Sequence, residues 1–176
     1  MTRVAVGCSA LGLGLALLAA PAAARAEDAS GQPTPVQTLP MRLAIQTEGA
    51  RGVATGPFYN HFLGARLDVQ FSPHVSLGGY LGYVNLKGKD GRAGNLLPYA
   101  SVEYLAGNPV ATTRLLARFA SGYLPQNGPV ARIAGGVNIA VGKTTALVFE
   151  LAPMFWVTNN QMLLSMNLAV ELSFKL

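Results

Sequence analysis

Past residue 26 the chain has no cysteine; its single Cys8 lies in the N-terminal segment. A mature chain without thiols needs no disulfide, so an oxidising compartment is neither used nor a hazard. No unbroken apolar run after residue 26 reaches the roughly 20 residues that a membrane-crossing helix needs. Charge is scarce, at 12% of residues, and the basic side chains are scattered instead of clustering with aromatics, which excludes a nucleic-acid-binding surface. Histidine occurs only at His61 and His74. The sequence has no metal-ligand spacing and implies no cofactor. Gly142-Lys143-Thr144 looks like the end of a phosphate-binding loop, but Val137 stands where the first glycine is required, so it reads as a hairpin turn.

The first 26 residues carry the pattern of a secretory signal peptide. Arg3 gives a positive start, residues 10–20 an apolar stretch, and Ala24-Arg25-Ala26 a small-x-small cleavage site. The apolar stretch is too short for a spanning helix, so cleavage before Glu27 is expected. Cys8 precedes that stretch, whereas a lipidated cysteine would follow it. Without Arg3 and Arg25 the chain keeps about 11 basic against 8 acidic residues, a net charge near +3. Residues 27–40 are polar and proline-rich and read as a flexible periplasmic leader.

From Met41 onward the hydrophobicity is spread as alternation. Over 164–176, Leu164, Met166, Leu168, Val170, Leu172, Phe174 and Leu176 share one face, and Ser165, Asn167, Ala169, Glu171, Ser173 and Lys175 the other. Strand side chains alternate with period two, and about ten tilted residues cross the apolar core of a bilayer. Similar segments occupy 41–47, 61–71, 75–84, 96–104, 110–123, 130–141 and 145–155, the first and fourth having the weakest pattern. Eight strands predict an all-β fold: an antiparallel transmembrane β-barrel over 41–176 with both termini on one side. Short connections (72–74, 106–109, 142–144) alternate with longer ones (48–60, 86–95, 124–129, 157–161).

A soluble calyx would be apolar inside and polar outside; a membrane barrel reverses this. The polar face here mixes small residues (Gly64, Gly78, Gly82, Ala134, Gly136) with Arg66, Asp68, Glu103, Arg114, Arg118, Arg132, Glu150 and Glu171. A water-exposed face would carry many more Lys, Glu and Thr. The interior of an eight-strand barrel is just wide enough for side chains to fill, and buried charges are tolerable when opposites pair. These eight charged residues are therefore expected to form a structural, salt-bridged plug. Aromatics sort to the strand ends: Phe58, Tyr59, Tyr83, Tyr123, Phe155 and Trp156 at the longer connections, Phe71, Tyr104 and Phe174 at the other end, as two interfacial girdles would require.

On this architecture and its terminal strand, residues 41–176, about 136 of 176, resemble the small outer-membrane β-barrel superfamily of Gram-negative bacteria, which includes the OmpA membrane domain, OmpX and OmpW-type proteins. The resemblance implies an outer-membrane location and the barrel-insertion machinery as a partner during biogenesis. Members usually end on an aromatic residue that this machinery recognises; here Phe174 is antepenultimate and Leu176 stands in the last slot.

Some barrels of this size modify lipids, which needs a nucleophile beside a base and a group to orient it. His61 is expected at the outer rim with no serine level with it, Ser121 being three strands away, and His74 in a periplasmic turn, so an enzyme is not expected. Lys87, Lys89 and Arg92, with Asp90 the one acid among them, form a basic loop that could neutralise lipopolysaccharide phosphates or simply be solvated. The leading expectation is an integral outer-membrane protein with a filled interior and a structural or interaction role, in contact with lipid and lipopolysaccharide. A narrow channel or carrier for small or hydrophobic solutes is the second reading, and a lipid-modifying enzyme the third.

Overall fold

The computed structural model describes residues 39–53, 59–88, 91–125, 127–158 and 161–176. The expected signal peptide (1–26), nearly all of the leader (27–40), Phe58, Lys89 and Asp90 lie outside them. The described chain forms strands β1 (Met41–Gly52), β2 (Tyr59–Gln70), β3 (Val75–Gly88), β4 (Gly91–Ala106), β5 (Thr113–Leu124), β6 (Gly128–Ala140), β7 (Thr145–Thr158) and β8 (Gln161–Lys175). Each pairs antiparallel with its sequence neighbour, and β1 pairs with β8 to close the barrel. Closure leaves no row of unpaired backbone groups at a sheet edge, the condition for a β-structure in hydrocarbon. The backbone N–H of Leu176 donates to Met41 O at 2.9 Å, so the ends of the barrel sequence meet on one side.

At the loop ends the strands run further than hydrophobic alternation predicts, whereas at the turn end β5 begins at Thr113 instead of 110 and the connection expected at 106–109 widens to 107–112. The connections expected at 48–60, 86–95, 124–129 and 157–161 shrink to 53–58, 89–90, 125–127 and 159–160. The β3–β4 ladder continues through Asn85↔Gly94 and Lys87↔Arg92 to Gly88↔Gly91. Strands of 12 to 16 residues exceed the roughly ten that a bilayer needs. In these extensions the inward side chains stay buried, Ala50 and Leu124 among them, so the pairing persists where hydrophobicity no longer alternates. Gly91 (φ 117°) and Gly128 (φ 114°) open β4 and β6 in the left-handed region that side chains rarely adopt.

The faces segregate as a membrane barrel requires. Leu168 is 69% exposed and Leu115 65%, while Arg66 and Arg132 are each 1% exposed. This inverts a water-soluble protein, in which a continuous leucine surface would be a liability. Tyr59, Tyr83 and Tyr123 lie outward at the loop ends, and Phe71 and Tyr104 outward near the turns. Trp156 departs from the expected girdle: it is buried inside the barrel, because β7 turns Ala152, Met154 and Trp156 inward.

The interior has two kinds of filling. Towards the loop ends Phe62, Val84, Leu97, Leu124, Val130, Met154 and Trp156 form an apolar cluster, with Tyr80 stacked on Tyr99 at 4.2 Å between ring centroids and 11° between planes. Gly64 and Gly82 make room for this stack, since a Cβ at either would meet the Tyr80 ring. Gly82→Val is expected to unseat Tyr80 and destabilise the barrel by about 1–3 kcal/mol, the usual cost of overpacking. Urea unfolding of the refolded protein in micelles would measure it, and a wild-type midpoint would show that Tyr80 moves aside freely. The remaining filling is ionic, apart from a small apolar cluster of Leu105, Leu116 and Val148.

Candidate functional site

Four arginines and five carboxylates form one connected network inside the barrel. Strand register brings some of them face to face: Arg42 lies opposite Asp68 across β1 and β2, and Glu103 opposite Arg118 across β4 and β5. Others reach across the lumen. Arg42 Nη2 meets Asp68 Oδ2 at 2.9 Å and Glu103 Oε1 at 2.5 Å. Arg66 meets Asp68 at 3.0 Å, Glu171 at 2.7 Å and Glu103 at 3.3 Å. Arg118 engages Glu103, Glu150 and Glu171. Arg132 completes the chain between Glu150 at 2.7 Å and Glu48 at 3.1 Å.

Amides finish the loop-end side. Gln46 Nε2 donates to Glu48 Oε2 at 2.7 Å, Asn167 Nδ2 donates to Glu48 Oε1, and Ser165 Oγ donates to Asn167 Oδ1 at 2.7 Å. Gly78 is part of the same construction: a Cβ there would run into the Asp68 carboxylate. Removing charges from water costs several kcal/mol per ion, so such a group persists only where opposite charges meet, as every member does here, although Arg66 Nη1 and Arg132 Nη1 find no hydrogen-bond acceptor. Chemically this is an interlocked filling. It contains no nucleophile beside a base.

Of the eight charged residues expected inside, the structure brings Arg66, Asp68, Glu103, Arg118, Arg132, Glu150 and Glu171 together. Arg114 is not among them. Its side chain is on the inward side of β5, but at the turn-end mouth, where Nη2 donates to Pro73 O and Leu105 O, each at 2.7 Å. The sequence reading missed two members. Arg42 lies on the polar face of β1 but has no charged neighbour in the sequence to suggest a partner. Glu48 falls in the connection expected at 48–60, because Gly49, Arg51 and Gly52 break the alternation that marks a strand, yet it lies on β1.

The other candidates lie outside the interior. Lys87 and Arg92 face each other outward near the tip of the β3–β4 hairpin, with Arg92 donating to Asn85 Oδ1 at 3.2 Å and Tyr59 O at 3.1 Å. Lys89 is outside the described residues. Outward on β1 at the same end, Arg51 pairs in register with Tyr59. His61 Nε2 lies 3.0 Å from Thr47 Oγ1 on the outer face. Every described carboxylate points into the barrel, so none is placed to orient that imidazole. His74 Nδ1 lies 2.8 Å from Leu105 O, and its ring stacks near Tyr104. Phe174 is half-buried on the outer face of β8 and Leu176 is exposed. No group of three or more potential metal ligands occurs among the described residues.

The comparisons agree with this geometry at the level of fold. The chain is similar to the crystal structure of Neisserial surface protein A (NspA), with 14% identity over 77% of this chain and 97% of that one and a TM-score of 0.54. It has the fold of the small outer-membrane β-barrels. The N-terminal β-barrel domain of Pseudomonas aeruginosa OprF is similar too, 15% identical over 76% of this chain and 97% of that domain, at a TM-score of 0.51. No family model and no curated protein matches the sequence. In a closed barrel of this size the lumen is where a channel would run, and here the ion network occupies it.

Proposed function

We propose that the protein is an integral outer-membrane barrel of a Gram-negative bacterium with a structural or interaction role, its interior sealed and not open to solutes. The observation that carries this reading is the continuity of the network, in which Arg42, Arg66, Arg118 and Arg132 are cross-linked by shared carboxylates over much of the lumen. A hydrated channel would leave such groups solvated and separately mobile. The apolar cluster around Phe62, Leu97 and Trp156 adds a second barrier towards the loop ends. The interaction role draws support from Arg51, Lys87 and Arg92, outward-facing cations at one rim with no carboxylate partner among the described residues. In a bilayer they would stand at the depth of lipopolysaccharide phosphates.

Fractionation of cells expressing the full chain tests the location. The mature protein is expected with outer membranes, and its gel mobility should shift on heating, because the closed barrel resists detergent until heated. Recovery as a soluble periplasmic protein without detergent would overturn the reading.

A further inference from the structure

The turn-end mouth of the barrel holds a cavity of about 350 Å³. Four cationic side chains line it from different elements: Arg42 on β1, Arg114 on β5, Lys143 in the β6–β7 connection and Lys175 on β8. The one carboxylate in the lining is Asp68, and it is already held by both Arg42 and Arg66. The register sets Arg42 directly opposite Lys175, but Arg42 is already held by Asp68 and Glu103, so the lining cations with no carboxylate partner among the described residues are Arg114, Lys143 and Lys175. Arg114 has no carboxylate partner among the described residues; its Nη2 meets the carbonyls of Pro73 and Leu105 and lies 3.1 Å from His74 Nδ1, and its buried Nε meets no acceptor. A concave site with converging cations, one saturated acid and an orphaned guanidinium donor has the chemistry of an anion receptor.

We propose that this mouth binds a small multivalent oxyanion, taken up from the turn side. Arg42 and Asp68 line the cavity and tie it to the ion network that fills the lumen behind it, so the site is a dead end that binds without conducting. Its volume lies at the lower end of the range for small-molecule sites and exceeds that of a bare phosphate, leaving room for bridging waters or a small organic body. Cations on several sides favour a multivalent ion over chloride, because each contact adds a charge-assisted hydrogen bond to the same ligand.

Inorganic phosphate is the probe. It would be titrated at constant ionic strength into the refolded full chain in zwitterionic micelles, with amide resonances followed by NMR. The proposal expects saturable shifts at 112–114, 142–145 and 175. The double variant Lys143→Gln/Lys175→Gln, which alters only exposed side chains and should fold normally, is expected to weaken binding by about tenfold or more. Lys87→Gln at the far rim is expected to leave binding unchanged. Shifts that fail to saturate, that persist undiminished in the double variant, or that centre on Lys87 and Arg92 would each overturn the site.

Discussion

Arg132→Gln is expected to destabilise the barrel by about 3–5 kcal/mol, the cost of leaving a buried ionic partner unmatched. Among the described residues Arg132 is the one guanidinium on Glu48, and it shares Glu150 with Arg118. Without it Glu48 keeps only the amides of Gln46 and Asn167. The network already holds five carboxylates against four arginines, so losing a cation deepens a surplus of negative charge. Breaking the same ion pair from the other side should be far milder. Glu48→Gln brings the count to four against four and leaves Arg132 held by Glu150. Equilibrium urea unfolding of both variants in one micelle system would compare them. Equal losses would mean that Glu48 is hydrated and that the surplus is not borne inside.

Leu168→Arg is expected to cost about 2–4 kcal/mol, as a charged side chain does near the midplane on the lipid face of a barrel. Leu168 is 69% exposed on the apolar face of β8, opposite Gly49 of β1 and Leu151 of β7. Refolding yield and unfolding midpoint in lipid vesicles read the effect. The same substitution should be nearly neutral if Leu168 sits in the headgroup region, and that result would require the apolar belt to be shifted along the strands. Ser165 supplies a contrast on the opposite face: it is fully buried beside Asn167, so an arginine there would have to displace the amides that hold Glu48.

Which face a residue takes was legible in the sequence, whereas its height along the barrel was not. Period-two alternation is enough to turn Glu150 and Glu171 inward and Leu151 and Leu172 outward, because a strand has only two sides. Arg114 shows the limit. Its parity on β5 is right, but whether it reaches Glu103 or the mouth depends on the stagger between strands, and the register gives Glu103 to Arg118. Arg42 joins the network for the same reason, being set opposite Asp68 by the β1–β2 register. Towards the loop ends even the face signal fades. Leu97, Leu124, Val130 and Trp156 are apolar and inward while Leu96, Tyr123 and Val157 are apolar or aromatic and outward, so hydrophobicity no longer separates the two sides. Such a stretch reads as a rim girdle when half of it is core. Glu48 was lost in the same zone, where glycines interrupt the pattern although the ladder continues.

The sealed interior is the centre of this account, and single-channel recording of the refolded full chain in a planar lipid bilayer tests it most directly. With Arg42, Arg66, Arg118 and Arg132 all cross-linked by carboxylates and the apolar cluster behind them, inserted wild-type protein is expected to give no sustained conductance steps above the bare-membrane baseline. Stable, reproducible steps from the wild-type protein would contradict the plug and make the barrel a channel.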